Sequence, residues 1–181
     1  MNKQQKAEVE FWTNLLNEVG EKDFIELRRQ DYFDKTGKFP SFKEQQGKGL
    51  DFGSGLYSIF EFSDKDVVAY DPLMSEYNKL LKGNISTEFK GKFDWIFCVN
   101  VIDHTPKPEE TIKEIYNLLK PDGRLYFEVN FDDTLSPAHY VIWNQAMVQE
   151  MFKDFKIEYI ECERLDEFNQ SRFWAEMICK N

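Results

Sequence analysis

Residues 49–57 read GLDFGSGLY, with the carboxylate of Asp51 one residue ahead of a turn built from Gly53, Ser54 and Gly55. Glycines in such a turn let backbone N–H groups come close to a ligand. Asp71 follows twenty residues after Asp51, at the end of the run DVVAYD over 66–71. An acid at that spacing can accept hydrogen bonds from the hydroxyls of a ribose. Turn and acid together point to an adenosine-containing ligand at the carboxyl edge of a parallel sheet. A tight strand-to-helix turn with an incidental aspartate would read the same over these few residues.

Charge separates the adenosine ligands. A dinucleotide needs its pyrophosphate cradled by backbone amides, and Asp51 would face it at short range. Two like charges about 5 Å apart in an effective dielectric near 20 repel by about 3 kcal/mol. In GSGLYS the position where a dinucleotide fingerprint has its third Gly or Ala is Ser58. S-adenosylmethionine carries no phosphate, and its methionyl end bears an ammonium beside a sulfonium. A carboxylate attracts that end, so the acid at the turn suits the cationic ligand. A nicotinamide-dependent oxidoreductase is the competing reading, and Asp51 argues against it.

The chain has 181 residues, 41% of them apolar and 16% aromatic, enough for one sizeable domain with a complete core. Lys and Arg number 23 against 33 Asp and Glu, a formal charge of -10. Such a surface repels phosphate backbones, so a nucleic-acid partner is not expected. Cys98, Cys162 and Cys179 are far apart with no CxxC, which predicts reduced, buried thiols and a cytoplasmic setting. Two histidines without short ligand spacing predict no metal site. No apolar run is long enough to span a membrane.

The elements that must position these residues follow from periodicity. Val9, Phe11, Trp12, Leu15, Leu16 and Val19 fall on one side of a helix that Gly20 can end, and EKDFIELRRQDYF suggests a second. TGKFPSFKEQQGKG reads as loop. Residues 48–52 form a first strand by context, 66–71 a second, and FDWIFCVNV (93–101) a third run rich in aromatic and β-branched residues. PEETIKEIYNLLK (108–120) is an amphipathic helix with Pro108 in its first turn, stopped by Pro121-Asp122-Gly123. RLYFEVN (124–130) returns as a strand. NQAMVQEMFKDF (144–155) predicts a helix capped by Asn144, and KIEYIECER and RFWAEMICK close the chain as strands. This is an α/β sheet with helices on both faces.

Over residues 47 to about 180 the chain resembles the class I S-adenosylmethionine-dependent methyltransferases. LDFGSG resembles their first motif, an acid followed by x-Gly-x-Gly, and VVAYDP the second-strand motif. FDWIFCVNVIDHTPKPEETIKEIYNLLKPDGRLYFEV resembles the run from fourth strand to fifth, and AHYVIWNQAMVQEMFKDFKIEYI the segment before the sixth. The resemblance implies a Rossmann-like, seven-stranded, mostly parallel sheet flanked by helices, the last strand inserted antiparallel beside the sixth. It implies a domain over 47–181 preceded by a helical lid or extension over 1–46. S-adenosyl-L-methionine is the implied cofactor, with Asp51, Gly53, Ser54 and Gly55 at its methionyl part and Asp71 and Pro72 at the ribose. Asn100 and Val101 would border the methyl group. The adenine position, often acidic in the family, falls on Ile85 or Ser86, and the third loop glycine is replaced by Tyr57.

Methyl transfer needs a nucleophile held in line with the methyl carbon. A general base helps where the acceptor is a hydroxyl or an ammonium. His104 is the candidate catalytic base, with Asp103 able to orient it; helix-entry packing is its other reading. His139, in FDDTLSPAHY, and Tyr57 are candidate substrate contacts. Phe11, Trp12, Tyr32 and Phe33 are candidates for a lid, and Arg28 and Arg29 either pair with an acidic substrate or solvate a helix. The expected activity is methyl transfer to a hydroxyl or amine of a small polar metabolite, such as a sugar. A catalytically inactive S-adenosylmethionine-binding module, acting as partner or sensor, is the alternative.

Overall fold

A computed structural model describes residues 1–81, 85–86, 89, 91–131, 141, 143–165 and 170–180. His139 lies outside them. Two helices open the chain, α1 (Lys3–Val19) and α2 (Glu21–Thr36). Then come β1 (Gly49–Phe52), β2 (Val67–Tyr70), α3 (Met74–Tyr77), β3 (Ile85–Ser86), β4 (Phe93–Val99) and α4 (Pro108–Leu118). The chain ends with β5 (Leu119–Phe131), α5 (Gln145–Met151), β6 (Phe155–Leu165) and β7 (Gln170–Cys179).

The strands form one seven-stranded sheet in the order β3-β2-β1-β4-β5-β7-β6. Pairings from β3 through β5 are parallel, and β7 runs antiparallel between β5 and β6. Strand order therefore reverses between β1 and β4, which opens a crevice at their carboxyl ends. Both faces are covered, so β4 from Trp95 to Val99 reads as a continuous apolar run rather than an alternating one. Ile96 and Cys98 join Leu125, Phe127, Val148 and Phe152 on the face under α4 and α5. Trp95 and Phe97 join Phe39, Phe42, Ile59, Phe60, Tyr126 and Trp174 on the other.

Several expectations are corrected. A single 3₁₀ turn, Ile59–Phe62, for which no element was expected, lies between β1 and β2. Fourteen residues separate the two strands, and Ile59 and Phe60 are drawn into the aromatic core. That core also takes Phe39 and Phe42 from the segment read as loop. Pro121-Asp122-Gly123 does not precede β5 but lies inside it. Pairing begins at Phe93↔Leu119, resumes at Trp95↔Arg124, and Asp122 bulges out with φ 61°. Helix α5 stops at Met151, and Phe155, expected in the helix, begins β6. Helix α3 is one turn long. Cys98 and Cys179 are buried free thiols, whereas Cys162 is exposed on the edge strand β6. Among the described residues no helix is long and apolar enough to cross a membrane, and no group of three metal-ligating side chains converges.

Candidate cofactor and acceptor site

The crevice at the switch point is a cleft with about 790 Å³ of open space, solvent at its mouth included. Its inner wall is Gly53, Gly55, Asp71, Pro72, Asn100 and Val101, and His104 stands at one end. These seven residues, chosen from sequence, converge on one space. The outer wall is α1, through Asn2, Gln5, Glu8 and Trp12.

Gly53 (φ +79°) and Gly55 (φ +68°) both occupy the left-handed region that side chains disfavour. A Cβ on Gly53 would meet Val101 Cγ2 at 2.4 Å, so the turn presses directly on the residue after β4. Its amides are anchored, Gly53 N and Ser54 N both donating to Tyr70 O at 2.8 and 3.0 Å. Asp71 ties turn and second strand together. Its Oδ2 accepts from Gly55 N (3.0 Å) and its Oδ1 from Leu73 N (2.8 Å). Those two bonds fix the carboxylate, and each oxygen keeps a lone pair for a ligand hydroxyl. Asn100 sits at φ 58°, which asparagine tolerates, and accepts a hydrogen bond from the Asn130 side chain.

Other selected residues lie off the cleft wall. Asp51 is buried behind the turn, where its Oδ2 accepts from the Ser58 hydroxyl. Ser54 is buried, and Tyr57 turns away to pack at 6.0 Å from the Phe62 ring. Ile85 and Ser86 form β3, in register with Ala69 and Tyr70. Of the four lid aromatics only Trp12 reaches the cleft; Phe11 and Phe33 are exposed and Tyr32 packs on Phe60.

Arg28 is the clearest departure from expectation. It is neither a solvated arginine nor a substrate contact but a buried brace for the glycine turn. Its Nε donates to Tyr57 O (2.9 Å), one Nη to Ser54 O (3.2 Å) and the other to Asp31 (2.8 Å). The guanidinium also sits 5.7 Å from the Trp12 ring centroid. Sequence gave no signal for this, because a brace 26 residues from its target looks like any helix-surface arginine. Glu8 was missed for the same reason. Its carboxylate accepts from Trp12 Nε1 at 2.8 Å and lies 3.3 Å from His104 Nδ1.

The electrostatics favour a cation. Among the described residues the lining includes Glu8 and Asp71 and neither lysine nor arginine. Burial pushes Asp51 up to about 6 from 3.8, against the Ser58 bond and the charges of Arg28 and Lys35. Burial also pushes Asp71 up to about 6, against the amides of Leu73 and Gly55 and with added repulsion from Glu8 and Asp51. The folded state thus holds extra protons between roughly pH 4 and 6. The contribution of both groups to stability is greatest in acid and declines as pH rises through 6. Binding of a cationic ligand has the opposite slope, since it needs the ionised carboxylates. Affinity for S-adenosylmethionine is expected to be about tenfold weaker at pH 5 than at pH 7.5, measured by titration in matched buffers.

A glycine turn, an acid ending the second strand and a reversal of strand order between them define a Rossmann-like methyltransferase of class I. Residues 24–174 match the family model described as a methyltransferase domain, and the chain belongs to that family. It is 28% identical over 109 residues to the tRNA U34 carboxymethyltransferase of Campylobacter concisus, covering 49% of this chain and 38% of that one. The chain spans less than half the length of such curated relatives. Among solved structures it is similar to the Burkholderia thailandensis 1,6-didemethyltoxoflavin-N1-methyltransferase, crystallised with 1,6-didemethyltoxoflavin and S-adenosylhomocysteine. There the TM-score is 0.65 at 13% identity, covering 100% of this chain and 92% of that one. The N-methyltransferase NodS of Bradyrhizobium japonicum, with bound S-adenosylhomocysteine, also gives 0.65, at 11% identity over 99% and 100% of the two chains.

Proposed function

We propose that the protein transfers a methyl group from S-adenosylmethionine to a hydroxyl or amine of a small polar metabolite, such as a sugar. The observation that carries this reading is the cleft itself, acidic, without lysine or arginine among the described residues of its lining, and walled by the two left-handed glycines and Asp71. When bound, the cofactor supplies an electrophilic methyl carbon on a sulfonium. Gly53, Gly55 and the buried Asp51 face its methionyl part, with Ser54 within the turn. Asp71 and Pro72 hold the ribose, Ile85 and Ser86 lie toward the adenine, and Asn100 and Val101 border the methyl group. The residues present fit that cation, and a diphosphate would meet the same carboxylates with repulsion.

The chain's own part is to orient, exclude water and move a proton. Helix α1, within an extension over 1–46 ahead of the domain at 47–181, serves as the lid. Trp12 lies over Gly55, with its indole carbons 3.5 Å from where a Cβ would stand. His104 receives the acceptor's proton at the end of the cleft nearest Glu8. An acceptor bearing phosphate or carboxylate would be repelled there, which favours neutral or cationic groups. His139 and Tyr57 stay as candidate acceptor contacts, the latter requiring its ring to swing from Phe62.

The test is to incubate the full chain with methyl-labelled S-adenosylmethionine and either a panel of amino and neutral sugars or a tRNA transcript. Label is expected in the small-molecule fraction. Label confined to the tRNA would overturn the acceptor class. Cofactor binding without transfer to either would favour the inactive binding module.

A further inference from the structure

Helix α1 meets the body of the protein in two parts. From Val9 onward an apolar stripe, with Trp12, Leu15, Leu16 and Val19, packs toward Phe24, Leu56, Leu73, Tyr77 and Leu81. Ahead of that stripe the first two turns wall the cleft through Asn2, Gln5 and Glu8. Here the contact is polar. One Glu8 oxygen accepts from Trp12 Nε1 (2.8 Å), and the other lies 3.3 Å from His104 Nδ1. On the far side of the ring, Asp103 Oδ2 stands 3.8 Å from Nε2.

Both ring nitrogens and both Asp103 oxygens are buried. A neutral imidazole has one N–H and one lone pair. Whichever nitrogen keeps the proton, the other turns a lone pair on a carboxylate. Protonation makes both nitrogens donors and sets a positive ring between two negative groups. We infer that Glu8, His104 and Asp103 form a proton-operated latch: the imidazolium holds the first two turns of α1 over the cleft, and loss of its proton releases them. The latch stands on contacts within the chain and needs neither cofactor nor acceptor.

Release is local. The apolar stripe keeps the helix docked from Val9 to Val19, so opening gives up only the contacts of the N-terminal turns. The two carboxylates outnumber the one cation, so the closed latch leaves the cleft attractive to a positively charged ligand. What it controls is how long the outer wall stays in place, and hence the rate at which a ligand enters and leaves. The charges facing the ring are Glu8 from α1, Asp103 from its own turn and Glu128 from β5. Burial pulls the imidazole down, but the Glu8 bond and these carboxylates outweigh it and hold it above its ordinary value of 6.5. Glu128, pushed up to about 7 by burial and by Asp103, adds its support as it ionises. Asp71, at the end of β2 and pushed up to about 6, repels Glu8 once ionised. The hold of the imidazolium is therefore fully present below pH 6.5 and is lost as pH rises through the raised value.

Pulsed hydrogen exchange of the full chain tests the latch, read by mass spectrometry on peptides within 3–12 and corrected for the intrinsic effect of pH. In the native chain these amides are expected to exchange about tenfold faster at pH 9 than at pH 6.5, the loss of one hydrogen bond to a charged group. Glu8→Gln keeps the size of the side chain and removes its charge. It should exchange fast at both pH values, as should His104→Gln. Helix α1 buries no residue completely, so the fold should survive, and peptides from β4 should keep their protection throughout. Equal protection at both pH values in the native chain, or the native pH dependence retained in Glu8→Gln, would overturn the inference. So would a loss of protection shared by β4, the mark of global unfolding. The readout uses neither cofactor nor acceptor, so its failure is distinguishable from failure of the methyltransferase reading.

Discussion

Gly53→Ala is expected to weaken S-adenosylmethionine binding about a hundredfold, equivalent to about 2.7 kcal/mol, and to cost the fold a similar amount. Two effects act at one atom. A side chain at φ +79° strains the backbone, and the new methyl group would stand 2.4 Å from Val101 Cγ2 and 2.6 Å from Cγ1. Neither side can yield easily. The turn is held by two amide bonds to Tyr70 O, and Val101 is continuous with β4, the centre of the sheet. Relief must come from moving the turn into the cleft, where Gly55 N would also leave Asp71. Chemical denaturation and calorimetric titration of the variant read the two effects separately. Retained affinity with lowered stability would mean that the turn is only a structural corner.

Arg28→Met is expected to destabilise the protein by about 3 kcal/mol and to weaken cofactor binding at least tenfold. The substitution keeps much of the aliphatic bulk but strips two carbonyls, Ser54 O and Tyr57 O, of a charged donor. Hydrogen bonds to charged groups contribute about 1.5–3 kcal/mol each, and the loss is larger where the acceptors stay buried. Asp51 also loses a charge that holds its carboxyl down, so it should titrate above its already raised value of about 6. Arg28→Lys should not restore the brace, because one ammonium cannot reach three separated oxygens as the guanidinium fork does. Full activity in the lysine variant would show that charge alone is needed at this position.

Much of this architecture was legible in the chain, for identifiable reasons. Strand β4 is buried on both faces, so from Trp95 to Val99 it is apolar at every position and visible without alternation. The helix at 108–118 has its proline, first-turn acids and apolar face all in agreement. Asp51, the glycines and Asp71 were legible because their chemistry is local or set by a fixed spacing. What could not be read was tertiary. The four-residue turn Ile59–Phe62 had no signal in the sequence, because it is set by aromatic residues from 39–42 and α2 that fill that side of the core. Arg28 and Glu8 act on residues far along the chain, and a helix-surface charge shows no period that betrays its partner. Tyr57 was chosen by position in a motif, yet the direction of its ring is decided by the shape of the turn.

The measurement that bears most directly on the account is calorimetric titration of the native chain with S-adenosylmethionine and, separately, with NAD. The account predicts one site of micromolar affinity for S-adenosylmethionine, weakening in acid as Asp71 takes up its proton, and no heat of binding with NAD. Binding of NAD in its place, or of neither ligand, would contradict it.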